Sequence, residues 1–125
     1  MKYILLILLI LVSFENYSQI LKEKELSDSL INSLPGVFYI FNKEGKYLRW
    51  NKNMLAVSGY SEEELRNMKP LDFVPDENKD ILLEKIYSVF FNGSDSVESL
   101  FLTKEGKKIP YYFTGSYIKI NGEDC

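Results

Sequence analysis

In Leu34-Pro-Gly-Val-Phe-Tyr-Ile-Phe-Asn-Lys-Glu-Gly-Lys-Tyr-Leu-Arg-Trp-Asn51, two β-branched and aromatic runs flank a short polar turn. Residues 37–41 and 46–51 have the composition of strands. Between them, Gly45 suits the left-handed conformation that a tight turn requires. The segment therefore predicts a β-hairpin near the start of a folded domain.

Short helices are predicted after this hairpin. Met54, Leu55 and Val57 mark one helix, which ends at Gly59. The sequence Ser61-Glu-Glu-Glu64 then has the pattern of a capping box, in which each end residue bonds to the backbone N–H of the other. Residues 71–74, between two prolines, are predicted to form a loop.

A longer helix and a second hairpin complete the pattern. Apolar residues at helical spacing predict a helix that opens at Asp76 and stops at Gly93, a natural left-handed cap. Residues 96–103 and 108–120 predict two strands, and Pro110 is expected near the start of the second because it lacks an N–H. Asn121-Gly122 is a strong hairpin signal, and we expect a further antiparallel strand after Cys125.

Four local motifs in this order resemble the PAS sensor domain. They are Phe41-Asn-Lys-Glu-Gly45, Trp50-Asn51, Ser58-Gly-Tyr-Ser-Glu-Glu-Glu-Leu65 and Thr103-Lys-Glu-Gly-Lys107. The resemblance covers about residues 30–120. It implies an α+β fold, with a five-stranded antiparallel sheet, short helices on one face and a pocket between them. In this family the last strand lies in the middle of the sheet, beside the first, and it is expected to be absent from residues 1–125.

The resemblance also gives candidate ligand-binding residues. Alternate residues of a strand face the same side, so Tyr39 and Phe41 belong to one set, which by resemblance faces the pocket. Large aromatic side chains also suit a filled core, and this alternative stays open. The candidates for contact with a small ligand are Tyr39, Phe41, Trp50, Asn51, Asn53 and Phe113.

The composition argues against several kinds of chemistry. The chain has no histidine, and its single cysteine is Cys125, so haem held by a histidine and a cysteine-rich metal site are disfavoured. The flavin–cysteinyl chemistry known in the family needs a cysteine, which Asn67-Met-Lys-Pro-Leu-Asp-Phe73 lacks. The net charge of −3 and the absence of a basic stripe give no support to nucleic-acid binding. We expect no metal, no catalytic residues and no cofactor, while an unidentified small ligand remains open.

The first residues differ from the rest of the chain in being almost entirely apolar. Lys2 precedes a block of Leu and Ile, which is typical of a signal peptide or a membrane anchor over residues 1–19. Residues 1–14 are the expected membrane-associating part, in a protein that is membrane-bound or exported; a cytoplasmic location is the alternative. Residues 20–34 form a predicted linker helix, and residues 35–125 form the PAS-like domain.

The predicted function follows from the resemblance. It implies a bacterial signal-sensing module that binds a ligand or a partner and regulates an effector domain, without being an enzyme itself. The expected partners are a second copy, through the linker helix and the domain surface, and a downstream kinase or cyclase domain. Two alternatives stay open: the N-terminal part of a sensor histidine kinase or diguanylate cyclase, and an exported small-ligand-binding domain.

Overall fold

The computed structural model describes residues 2–125, which divide into two units between Leu34 and Pro35. The first unit contains one helix, α1, from Lys2 to Ser33. It runs without interruption through the predicted leader and the predicted linker, because residues 2–33 contain neither Gly nor Pro to break it.

Helix α1 is long and apolar enough to cross a membrane, although a signal sequence near the N-terminus would meet the same criteria. The Leu/Ile block alone is shorter than a bilayer span, which takes about 20 residues. The helix reaches that length because Phe14, Tyr17 and Ile20 extend its apolar part. Its large apolar side chains from Tyr3 to Leu30 are exposed.

The second unit begins with the predicted hairpin. Strand β1 (Tyr39–Phe41) pairs antiparallel with β2 (Tyr47–Trp50), and the register shifts between Ile40 and Phe41. Gly45 has a φ of 79°, as a tight turn requires. Both strands are shorter than predicted.

Four helical segments follow, and their caps explain their bounds. The capping box of Ser61 and Glu64 is confirmed, with both hydrogen bonds at 3.2 Å. Gly93 ends the long helix with a φ of 97°. The segments are α2 (Lys52–Ser58), α3 (Glu62–Arg66), a 3-10 helix (Pro70–Phe73) and α4 (Asp76–Asn92). The 3-10 helix replaces the predicted loop, since the Asp72 carboxylate accepts a hydrogen bond from the Lys69 N–H at 2.8 Å.

The second hairpin joins two nine-residue strands, β3 (Ser94–Leu102) and β4 (Lys108–Ser116). Pro110 is the third residue of β4, near its start as predicted. Strand β4 is shorter than predicted because its partner β3 begins at Ser94, opposite Ser116, and Ile118 pairs with Cys125 instead.

The Asn121-Gly122 turn is confirmed, with φ angles of 49° and 80°. It joins two short antiparallel strands, β5 (Lys119–Ile120) and β6 (Glu123–Asp124). The returning strand therefore starts before Cys125, whereas the sequence pattern placed it after that residue.

The described strands form three antiparallel ladders, β1–β2, β3–β4 and β5–β6. The predicted α+β fold with antiparallel strands is confirmed. Within residues 2–125, no ladder joins β1 to β4. The buried core lies between the strands and the helices and consists of Tyr47, Met54, Leu65, Phe73 and Phe101.

Candidate ligand cleft between two strands

A cleft of about 430 Å³ separates β1 from β4, and helix α4 contributes to its wall. Residues 37–41 line one side and residues 111–116 the other. Leu82, Ile86 and Val89 of α4 line it as well. Its volume lies in the range of small-ligand pockets in proteins.

Aromatic rings form much of the cleft wall. On the β1 side, the rings of Tyr39 and Phe41 stack with centroids 6.0 Å apart, and Phe41 meets Phe90 of α4 edge to face at 6.4 Å. On the β4 side, Tyr111 and Phe113 stack at 5.8 Å. An apolar or aromatic group placed in this cleft would contact rings on both sides.

The rings also continue into the core. Tyr39 meets Tyr47 edge to face at 5.4 Å, and Phe101 lies 5.3 Å from Tyr111. Phe73 bridges the two sides, because its ring is within 5.8 Å of both Tyr47 and Phe101. The cleft walls therefore rest on one connected aromatic cluster.

Tyr39 adds a hydroxyl group to this apolar surface. Burial raises its pKa to about 12, so the side chain is neutral near neutral pH. A neutral phenol can both donate and accept a hydrogen bond. Tyr39 is thus equipped to orient a polar atom of a ligand.

A charged pair lines the α4 end of the cleft. Lys85 Nζ lies 3.2 Å from a carboxylate oxygen of Asp95. The Ser88 hydroxyl, the Ser96 N–H and then Lys85 hold the pKa of Asp95 below its usual value. The carboxylate is therefore charged near neutral pH and satisfied within the protein, and Lys85 is the side chain of the pair that retains donors for a ligand.

The structure brings three of the six predicted site residues into the cleft wall: Tyr39, Phe41 and Phe113. Trp50 packs against the buried core instead. Asn51 and Asn53 both donate side-chain hydrogen bonds to the Gly36 carbonyl, at 2.8 and 3.1 Å. These three lie outside the residues that line the cleft, and whether any of the six binds a ligand stays a prediction.

Sequence reasoning did not identify the α4 contribution or the Lys85–Asp95 pair. A signal existed for the helix, since Leu82, Ile86 and Val89 repeat at helical spacing. No sequence signal predicts the ion pair, because Lys85 lies on α4 and Asp95 lies on β3.

Cys125 lies at the edge of the cleft and is buried. Its burial raises the pKa of its thiol, which disfavours the reactive thiolate. Among residues 2–125, no group of three acidic or cysteine side chains is placed to hold a metal ion.

Comparison with known proteins agrees with this architecture. A family model described as "PAS domain" matches residues 35–124. No curated protein matches the chain in sequence.

Several solved structures share the fold. A PAS domain of an HTR-like protein from Haloarcula marismortui superposes with a TM-score of 0.70 at 18% identity, covering 88% of this chain and 91% of that one. A PAS domain from a two-component sensor histidine kinase superposes with a TM-score of 0.68 at 15% identity, covering 82% of this chain and 88% of that one. A PAS domain from Desulfitobacterium hafniense superposes with a TM-score of 0.65 at 27% identity, covering 78% of this chain and 92% of that one. With its family model spanning the whole second unit up to Asp124, the chain belongs to the PAS domain family.

Proposed function

We propose that this chain is the signal-sensing part of a signal-transduction protein, and that the cleft between β1 and β4 receives the signal. The observation that carries the proposal is a cleft with aromatic walls inside a PAS domain. Similarity in fold to the PAS domain of a two-component sensor histidine kinase supports it. An occupant that binds one conformation of the domain better would shift its population, and an effector domain would read that shift.

The effector in this proposal is a histidine kinase or diguanylate cyclase domain. The chain itself contributes no catalysis and holds no haem or cysteinyl flavin. It has no histidine to accept a phosphoryl group or to ligate haem. Its only thiol is the buried Cys125.

Self-association through helix α1 is part of the proposal. Leu26 and Leu30 lie one helical turn apart and are 60% and 58% exposed, and Leu21 is also exposed. Such a stripe suits pairing with the same stripe of a second copy. Signals in dimeric proteins can then pass along paired helices.

Membrane attachment through α1 completes the proposed arrangement. The exposed apolar side chains from Tyr3 to Val12 fit a lipid environment better than water. The same residues also suit an exported protein with a signal sequence. This observation favours a second candidate function, an exported small-ligand-binding domain.

A chimaeric sensor tests the main proposal. The whole chain is fused before a histidine kinase core that lacks its own sensor, and autophosphorylation is measured in membranes. We expect kinase activity to differ from that of the isolated core by about fivefold or more, and Phe113→Ala to change it again because the cleft wall is altered. Glu62→Gln, at an exposed position of α3, is the matched control and should behave as the unaltered chimaera.

Equal activity of the core, the chimaera and the Phe113 variant would overturn the sensing function. Self-association is measured separately, by sedimentation of the full chain in detergent. Leu26→Glu with Leu30→Glu should convert a dimer to a monomer, whereas Glu23→Gln should not. A reporter that is active only outside the cytoplasm, fused after Cys125, distinguishes the exported candidate from a protein whose second unit stays inside.

A further inference from the structure

The outer face of α4 carries a row of exposed apolar side chains. Leu83, Tyr87 and Phe91 follow one another at intervals of four residues, so they lie on one side of the helix. Their exposed fractions rise along the row, from 37% to 66% and 91%. None of the three lines the cleft between β1 and β4. Single exposed apolar residues are common on protein surfaces, but three in one row form a patch, which favours an interaction site.

Two carboxylates lie beside this row. Asp80 and Glu84 are exposed and four residues apart, so like charges are adjacent on the helix surface and repel each other. Asp76 and Glu77, in the first turn of α4, each have a lysine partner, at 2.9 and 2.8 Å. Within residues 2–125, neither Asp80 nor Glu84 forms an ion pair. A cation brought by a partner would relieve their repulsion.

An open hollow of about 500 Å³ adjoins the row and the acidic pair. Glu84 lines it together with the aromatic rings of Tyr87, Phe90 and Phe91. The Phe90 ring is held from behind, because it meets Phe41 edge to face at 6.4 Å. Aromatic faces attract cations, and a carboxylate forms strong hydrogen bonds with charged donors. The hollow therefore suits a positively charged side chain.

The other polar groups of the hollow are already paired within the protein. Lys43, from the turn between β1 and β2, lines the hollow, but its Nζ lies 3.0 Å from a carboxylate oxygen of Asp124. The Asn92 side chain donates a hydrogen bond to the Ser88 hydroxyl at 3.0 Å. The charge that the hollow offers to a partner is therefore the negative charge of Glu84.

A helix is the element that fits this surface. The row from Leu83 to Phe91 is about 12 Å long, because an α-helix rises 1.5 Å per residue. Side chains four residues apart form a ridge, and such a ridge packs into the groove between the ridges of a second helix. Arginine suits the hollow better than lysine, since its planar guanidinium stacks on rings and binds a carboxylate through two hydrogen bonds.

We propose that the outer face of α4 binds an amphipathic helix of a partner protein, whose apolar stripe covers the row and whose arginine enters the hollow beside Glu84. Charge complementarity selects this partner. The α4 helix of a second copy offers no such cation, because both of its lysines are paired with aspartates. An anionic lipid surface would be repelled by Asp80 and Glu84. The site goes beyond the proposed sensing function, because it lies outside the cleft.

The test uses the full chain in a non-ionic detergent and a fluorescent helical peptide of about fifteen residues. The peptide has Leu at every third or fourth position and Arg beside this apolar stripe. Fluorescence anisotropy measures its affinity, and we expect saturable binding that weakens at high salt. The same peptide with Lys in place of Arg should bind about fivefold more weakly, and the one with Glu should not bind.

Protein variants locate the site, and all are measured in the same micelles, so any binding of the peptide to detergent is common to them. Phe91→Ser and Glu84→Lys should each weaken binding of the Arg peptide about tenfold. Both positions are exposed, and a thermal melt checks that the fold is retained. Glu105→Lys, in the exposed turn between β3 and β4, makes the same charge change elsewhere and should bind as the unaltered chain.

Equal binding of the Arg peptide by the unaltered chain and by the Phe91→Ser and Glu84→Lys variants would overturn the proposal. Equal affinity for the Arg and Glu peptides would also overturn it, and equal affinity for the Arg and Lys peptides would overturn the place of arginine in the hollow. Sedimentation without peptide tests a second copy as the occupant. If Phe91→Ser converts a dimer into a monomer, the face is an interface between copies and the proposal is wrong.

Discussion

The side-chain oxygen of Asn51 accepts a hydrogen bond from the backbone N–H of Phe38, 3.1 Å away and 13 residues earlier in the chain. The same oxygen accepts the Met54 N–H at 3.1 Å and so caps α2. The side-chain nitrogen donates to the Gly36 carbonyl at 2.8 Å. One buried amide therefore connects the start of the domain, the end of β2 and the first turn of α2.

Replacing Asn51 with Ala should lower the free energy of unfolding by about 3 kcal/mol, because buried backbone groups lose their partners. Chemical denaturation of the full chain in detergent measures the change. Asn53→Ala is the control, since the half-buried Asn53 side chain also donates to the Gly36 carbonyl, at 3.1 Å; its cost should stay below about 1 kcal/mol. Equal losses for the two variants would contradict the capping role of Asn51.

Gly115 should be intolerant of a side chain. A Cβ at this position would lie 2.8 Å from Cγ2 of Val89, so α4 and β4 approach closely there. Gly115→Ala should destabilise the fold by about 1–3 kcal/mol through overpacking. The double variant with Val89→Ala should recover part of that loss, and a double-mutant cycle measures the coupling.

Additive effects of these two substitutions would show that the Gly115 contact with Val89 is not the cause. Gly36→Ala is a suitable control, because a Cβ there has no neighbouring atom within 4 Å. It should change stability far less than Gly115→Ala.

The β5–β6 turn should weaken in acid. The Tyr117 hydroxyl donates to Asp124 at 2.5 Å, and this bond first, with Lys43 next, holds the pKa of Asp124 below its usual value. Because the pKa is lower in the folded state, the charged carboxylate stabilises the fold. That contribution is complete above the unfolded-state pKa of about 3.9 and is lost as the pH falls through the folded-state pKa.

Asp124→Asn should therefore lower the melting temperature near pH 7, and the difference from the unaltered chain should shrink below about pH 4. Thermal melts across this range measure it. Asp80→Asn, at an exposed position of α4, serves as the comparison. A difference for Asp124→Asn that stays constant with pH would contradict the role of its charge.

The open edges of β1 and β4 should also promote self-association of the second unit. Unpaired apolar strand edges are templates for pairing with other copies. We expect concentration-dependent aggregation and poor solubility, measured by light scattering. Thr114→Lys places a charge on the exposed side of the open edge and should reduce this aggregation, whereas Glu98→Lys on β3 should leave it unchanged. A soluble monomer with a sharp cooperative melt would contradict this prediction.

Much of the fold was predictable because its signals are local. The Ser61–Glu64 capping box, the Gly45 and Asn121-Gly122 turns and the Gly93 cap each depend on a few neighbouring residues, and all four are confirmed. The family resemblance supplied the order of the elements.

The remaining features depend on tertiary contacts, which local patterns do not encode. The β4 strand ends at Ser116 because its partner β3 begins opposite it, at Ser94, directly after the end of α4. The Asn51 side chain bonds to the backbone of Gly36, Phe38 and Met54, a set of contacts that no local pattern reveals, and its contact with a ligand stays a prediction. The Lys85–Asp95 pair joins a helix to a strand, so neither residue stands out in the sequence.

The three ladders of the second unit each join strands that are consecutive in the chain. Their pairing closes only short loops, so each can form early and independently during folding. Closing the gap between β1 and β4 is different, because it brings together parts of the domain about seventy residues apart. Bringing β1 and β4 together would then be the late and slow step in the folding of the second unit.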